Sequence, residues 1–228
     1  MEVLNQNYMD EAVFKEVRKK GLLAFGVYGG VLPSLLMIIG ALLANDKNPY
    51  DKTMGVFGIF AFISICAFIY HCFIIFDKIA EQTNSNIYNI FKSWFYNCLC
   101  ILLVVLALLF VGGKTTIDMF IALFLALFFG IRAIYKYVKL FIELKNLSDE
   151  KLFLIYAILF AISFILSFSV PVLTYAVLFS GFSFLGGLIK FIGIFDNINA
   201  ILLVASFVLL ILAWYRVKYF KVLPKLAD

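Results

Sequence analysis

Charge is scarce in this chain. Asp, Glu, Lys and Arg together make up 14% of its 228 residues, against about a quarter in a soluble domain. That leaves too little polar surface to cover a globule in water, and it excludes an intrinsically disordered chain as well. Histidine occurs once, at His71, and cysteine four times, at Cys66, Cys72, Cys98 and Cys100. All four cysteines lie within apolar runs, so they do not form the loop-rich disulfide framework of a small secreted domain. Ionisable residues are nearly missing from the middle of the apolar runs. A proton-coupled pump is expected to carry a carboxylate there, and a membrane hydrolase needs Ser/His or paired acids at one depth. The net charge of +5 is a mild signal for nucleic acid or lipid, but in a membrane protein a Lys/Arg excess reflects orientation, and no nucleic-acid partner is expected.

What the chain does have is apolar length. It is 64% hydrophobic, with a mean hydropathy of +1.04. Since about 20 apolar residues cross a bilayer core, the fold class expected is all-α, a polytopic transmembrane helix bundle. Spans are expected at about 21–44, 53–76, 94–111, 117–135, 152–170 and 198–215. Residues 1–20 read as an amphipathic cytoplasmic tail, with Met9, Val13 and Val17 recurring every four positions. Such a helix can lie on a membrane surface. The acids in this tail and the length of the first apolar run mark an uncleaved first span rather than a secretion signal. Residues 21–217 form the bundle and 218–228 a basic cytoplasmic tail.

Residues 152–195 admit either one crossing or two. The positive-inside rule arbitrates. Lys15, Arg18, Lys19 and Lys20 precede the first span, and Arg216, Lys218, Lys221 and Lys225 follow the last. Six crossings keep both groups in the cytoplasm and leave only Lys47, Lys52, Lys114 and Lys190 outside. Six crossings are therefore expected, with both termini cytoplasmic and 171–197 an apolar re-entrant or interfacial segment; seven crossings are the alternative. Trp94, Tyr96, Tyr135, Tyr137, Trp214 and Tyr215 then fall at the inner membrane interface, which Trp and Tyr favour.

A faint repeat links the two cytoplasmic connectors. Asp77, Asn84–Ser85 and Ile90–Phe91 follow the second span; Glu143, Asn146, Ser148 and Leu152–Phe153 follow the fourth. Ser148, Asp149 and Glu150 look like a helix start, with a cap and acids in the first turn. This layout of polar linkers with I-F and L-F re-entry is similar to an uncharacterised prokaryotic family of small multi-pass membrane proteins. The resemblance implies no functional residues.

Few residues are candidates for chemistry. His71, Cys72, Cys98 and Cys100 are the ligand types that zinc takes, though no C-x-x-C is present and Cys98 and Cys100 lie about 200° apart on a helix. No metal and no cofactor is expected. Lys190 and Asp196 flank a glycine-rich stretch and are the transport candidates, because transporters build sites from broken helices. Gly26 and Gly30 form a G-x-x-x-G pair that lets a backbone approach closely, within the chain or in a homo-oligomer. Pro33 kinks the first span. Serines 163, 167 and 169 are expected to bond the carbonyls one turn back.

The function expected first is a non-enzymatic inner-membrane component of a bacterial or archaeal cell, acting through helix packing or contacts with a membrane-protein partner. The alternatives are a small transporter or channel for a small or amphiphilic solute, and a membrane enzyme using the Cys/His set. The partners expected are the lipid bilayer and anionic lipid at the basic inner face.

Overall fold

The computed structural model describes residues 8–43, 52–111, 116–180 and 186–224. Among these residues the regular structure is helical, apart from one antiparallel bridge between Tyr8 and Lys221. The first helical rod joins three segments end to end: α1 (Glu11–Gly21), a π-helical stretch (Leu22–Val31) and α2 (Leu32–Leu43). Five more rods follow: α3 (Lys52–Thr83), α4 (Ile87–Val111), α5 (Thr116–Ser148), α6 (Leu152–Ser180) and α7 (Gly186–Arg216). Each rod packs on the next, and α7 returns to the π-helical stretch, so the six close into a ring. Within the described residues, Val56–Thr83, Ile87–Ala107 and Asn197–Arg216 are each long and apolar enough to cross a membrane. Their outward faces are greasy: Phe62 is 64% exposed and Ile201 69%.

Local chemistry sets the ends of these rods. Asp10 caps α1 by accepting from the backbone N–H groups of Ala12 and Val13. Glu11 sits in the first turn and Arg18, Lys19 and Lys20 in the last, each where the helix dipole favours its sign. The buried stripe of α1 is Phe14, Val17 and Gly21. That stripe faces protein, because Phe14 meets Phe220 edge-on at 5.9 Å. The N-terminal segment therefore docks on the bundle instead of lying alone on a lipid surface.

At 32 and 33 residues, α3 and α5 are each nearly 50 Å long at about 1.5 Å per residue. A bilayer core is about 30 Å thick, so each helix is longer than a crossing needs. Their ends toward the connectors hold much of the buried core. Ile75, Phe76 and Ile79 of α3, and Leu140, Phe141 and Leu144 of α5, are all essentially inaccessible. The two connectors repeat in three dimensions. Thr83 and Ser148 each donate a hydroxyl hydrogen bond to the carbonyl four residues back, at 2.6 Å. Asn84 and Asp149 then take positive φ, 53° and 56°, a conformation that short polar side chains tolerate. Ser148 therefore ends α5, and the cap of α6 falls to Glu150, whose carboxylate accepts from the Leu152 N–H at 3.3 Å.

The C-terminal residues form a strap beneath the ring. The backbone N–H of Lys221 donates to Leu147 O and that of Leu223 to Thr83 O, both at 2.8 Å. One extended segment thus satisfies a free carbonyl at the ends of both α5 and α3, groups that a helix cannot satisfy internally. Met9 N–H donates to Phe220 O at 2.9 Å, which ties the N-terminal segment to the same strap. Val217 and Phe220 are buried, so 217–224 is not a free tail.

One stretch departs from expectation. Residues 171–180 and 186–197 do not leave the helices as a re-entrant segment; they continue α6 and α7. The physical reason is the apolar setting, where every backbone polar group needs an internal partner, and a helix supplies it. Residues 181–185 lie outside the described residues.

Candidate functional site: a central aromatic chamber

Between the six rods lies a partly open chamber of about 320 Å³. Every rod contributes to its wall. Phe25 and Gly29 come from the π-helical stretch, Phe68 from α3, Trp94 from α4, Tyr137 from α5 and Phe160 from α6. Tyr156 of α6 and Leu203, Ser206, Phe207 and Leu210 of α7 complete it. Helical periodicity explains the selection, since Phe25/Gly29, Tyr156/Phe160 and Leu203/Phe207 are each one turn apart and share a face.

The wall is mostly aromatic. Tyr137 lies 4.5 Å from Phe160 and 5.4 Å from Trp94, centroid to centroid. Phe25 meets Phe68 edge-on at 5.4 Å. A Cβ on Gly29 would stand 2.9 Å from Cδ2 of Phe68, so glycine lets that ring close the wall. Polar groups interrupt the rings: the Ser206 hydroxyl donates to Leu203 O, and the Tyr137 and Tyr156 hydroxyls share a hydrogen bond of 2.5 Å. Only one of the two protons is used between them, which leaves one O–H donor for another acceptor.

Below the chamber lies an aromatic plug. Phe25 stacks on Trp214 at 5.5 Å and Phe76 leans on Phe91 at 4.8 Å. Phe153 meets Trp214 edge-on at 5.6 Å. Phe76, Phe91, Phe153 and Trp214 are at most 1% exposed. The strap beneath, through Phe220, presses on Trp214 at 6.3 Å.

The first rod is π-helical where it lines the chamber. The N–H of Leu32 reaches back five residues to Val27 O. Pro33 follows directly, and a proline ring clashes with the carbonyl four residues before it, here Gly29. A wider turn relieves that clash. π-Helical turns concentrate at functional sites, and this one carries Phe25 and Gly29 into the wall.

The residues singled out from sequence fall in several places. Gly26 and Gly30 face α7 within the chain. A Cβ on Gly26 would lie 3.9 Å from Ile211, and one on Gly30 only 1.8 Å from the ring tip of Phe207. His71 stacks on Tyr28 at 5.3 Å with its Nδ1 buried and unpaired. Cys72 is fully buried in the core, whereas Cys98 and Cys100 are half-buried on α4. Among the described residues, no three His, Cys, Asp or Glu side chains come together as a metal site. Lys190 and Asp196 are on α7, with side chains outside the described residues. Ser163 and Ser167 do not bond one turn back. Both bond Asn199 of α7, Ser163 to its Oδ1 and Ser167 to its Nδ2, the latter at 2.6 Å, a polar clamp between two apolar helices.

Outside the apolar region, ion pairs hold the ends together. Glu16 lies between Lys20 at 2.7 Å and Lys78 at 2.5 Å, and these two ammonium groups hold its carboxyl down to about 2. Asp149 is held below the usual carboxylate range by hydrogen bonds from Lys221 and Tyr219. The same contact raises Lys221 above the ordinary lysine value.

Interface preference alone sends Trp94 and Tyr137 to the membrane boundary, which hides the chamber, yet their spacing carries a signal. Trp94 and Tyr96, like Tyr135 and Tyr137, stand two apart and so about 200° apart on a helix. If one member of a pair faces lipid, the other faces inward. Tyr96 and Tyr135 are 53% and 62% exposed, while Trp94 and Tyr137 line the chamber. No protein-family model matches this chain, and no curated protein or solved structure matches it either.

Proposed function

We propose that this chain is a six-crossing, non-enzymatic inner-membrane protein with both termini in the cytoplasm, and that its chamber receives a small, largely apolar or amphiphilic solute for transport. The observation that carries the reading is the chamber itself, walled by all six rods. Ligand pockets run from about 300 Å³ upward and are mostly apolar with a few placed polar groups. A chamber of about 320 Å³ suits a small molecule with an aromatic or aliphatic body. One acceptor on that body would take the spare O–H of the Tyr137–Tyr156 pair. The aromatic plug closes the cytoplasmic side, as a gate in a resting state would. The inward facing of Gly26 and Gly30 favours this reading over one based on partner contacts, because it uses the close-approach motif within the chain.

Trp94 supplies the test. In a Trp214→Phe background it is the one tryptophan left in the chain. Small aromatic and aliphatic alcohols and ketones, added to the protein in nanodiscs, are expected to change its fluorescence saturably. Ser206→Phe places a ring in the chamber and should abolish that change. A signal that never saturates, or that survives Ser206→Phe unaltered, removes the basis of the proposal.

A further inference from the structure

A second cavity of about 410 Å³ lies between α4 and α5. It takes Asn89, Lys92, Ser93, Tyr96, Asn97 and Cys100 from α4, and Phe129 and Arg132 from α5. The α4 residues recur every three or four positions, so they form one face, distinct from the face that carries Trp94 into the central chamber. Two cations line this groove and no acid does. Neither Lys92 nor Arg132 has an ion-pair partner among the described residues. Their nearest charge-related contacts are aromatic: Lys92 lies 5.9 Å from the centre of the Tyr96 ring and Arg132 5.5 Å from that of Phe128.

Position identifies the partner. Lys92 is in the second turn of α4, just above the polar connector. The flank around the groove is open and apolar: Ile131 is 66% exposed and Tyr135 62%. That greasy exterior is the surface a bilayer covers. Tyrosine at this level marks the headgroup boundary. Along α4 the groove is cationic and hydroxyl- or amide-bearing at Asn89, Lys92, Ser93 and Asn97, and Arg132 reaches into it from α5. Cys100 and Phe129 form its apolar end. A phospholipid has the same order, a phosphate above an acyl chain. Arginine meets phosphate as a two-pronged donor and lysine as a point charge. Two unpaired cations close to hydrocarbon also lack the counter-charge that a low-dielectric setting demands.

We infer that the groove between α4 and α5 is a binding site for one anionic phospholipid of the inner leaflet, its headgroup phosphate held between Lys92 and Arg132. The site is separate from the central chamber. It rests on the functional proposal for the placement of the bundle in a bilayer and for the cytoplasmic side of the α3–α4 connector, but not on the chamber or on transport, which can fail without it.

The test uses the full chain in nanodiscs of phosphatidylcholine containing a minor fraction of phosphatidylglycerol, with bound lipid counted by native mass spectrometry. Wild type should retain one phosphatidylglycerol in preference to phosphatidylcholine. Lys92→Gln with Arg132→Gln should lower that preference about tenfold or more, since it removes both the two-pronged arginine donor and the lysine charge that hold the phosphate. Lys136→Gln with Lys139→Gln changes the net charge equally and should leave the preference unchanged. Inorganic phosphate at millimolar concentration should not displace the lipid. Equal losses in both double variants would assign the preference to the general surface field and overturn the site. Displacement by inorganic phosphate would make it a free-anion site and overturn the lipid assignment. Unchanged retention in the Lys92/Arg132 variant would overturn it outright. The two double variants are compared only when both melt within a few degrees of wild type; if the Lys92/Arg132 variant does not, single Lys92→Gln and Arg132→Gln chains carry the same comparison.

Discussion

Replacing Gly21 with alanine should destabilise the protein, although alanine is the better helix former. Gly21 ends α1 with helical dihedrals, φ −61° and ψ −47°, so it is not there for a special backbone conformation. It is there for space. A Cβ at this position would stand 2.5 Å from Cε3 of Trp214 and under 3 Å from two further ring carbons. The indole has no room to retreat, being 0% exposed and held by Phe25, Phe153 and Phe220. Overpacking a tight core costs about 1–3 kcal/mol, while exchanging glycine for alanine within a helix returns up to about 1 kcal/mol. The net expected loss is about 1–2 kcal/mol. In a Trp214→Phe background the smaller ring withdraws from the methyl, and Gly21→Ala should become neutral or stabilising by about 1 kcal/mol. A double-mutant cycle, read by reversible unfolding of detergent-solubilised protein, measures the difference. A coupling below about 0.5 kcal/mol, the level at which independent sites add, would refute the proposed contact between backbone and indole.

Other outcomes follow from the same packing. Gly30→Ala should weaken the fold and be rescued by Phe207→Ala, with no change in oligomeric state by light scattering; a loss of dimer independent of Phe207 would return the glycine pair to a partner interface. Phe220→Ala removes a fully buried ring and should cost about 3–5 kcal/mol. It should also release the slow hydrogen exchange expected of the Lys221 and Leu223 amides, and exchange at those amides that is already fast in wild type would show the strap to be loose. Glu16 has its carboxyl lowered from 4.5 to about 2 by Lys20 and Lys78. Its contribution is therefore complete above about 4.5 and lost as the pH falls toward about 2. A spin label at Lys19 should become mobile over that interval, and the same transition persisting in Glu16→Gln would break the assignment. For topology, single cysteine reporters in a background without native cysteines should label at Ala227 only from the cytoplasm and at Ser183 only from outside; labelling of Ala227 from outside would mean an odd number of crossings.

Much of the fold was legible along the chain. Over residues 77–93 the run of polar groups interrupted by Ile79, Ile87, Ile90 and Phe91, with turn residues at Asn84–Asn86, reads as a helical overhang, a turn and an approach to the next helix. The structure has α3 to Thr83, positive φ at Asn84 and α4 from Ile87. The parallel between the two connectors is visible in sequence as Asn84–Ser85 against Asn146 and Ser148; the structure sets it one register over, with Thr83 matching Ser148 and Asn84 matching Asp149. The ends of α6 and α7 were harder. Pro171 and a run of glycines are local breakers, but whether a helix passes through them depends on what surrounds it.

The sequence by itself determined that the chain is helical and too apolar for water, because composition and run length act without reference to any neighbour. It also determined where the polar connectors fall, since turn residues and charges are expensive anywhere else. Which side of each helix looks inward was left to the tertiary structure. Trp94 and Tyr96 are equally good interface residues until α5 arrives against one of them. The facing of Gly26 and Gly30, the clamp on Asn199, the strap across two helix ends and the aromatic chamber all join residues from distant parts of the chain. Lipid and protein are almost equally apolar, so hydropathy cannot tell them apart. Closure of the six rods into a ring made that choice, by placing one face of each against other helices and leaving the other on the outside of the bundle.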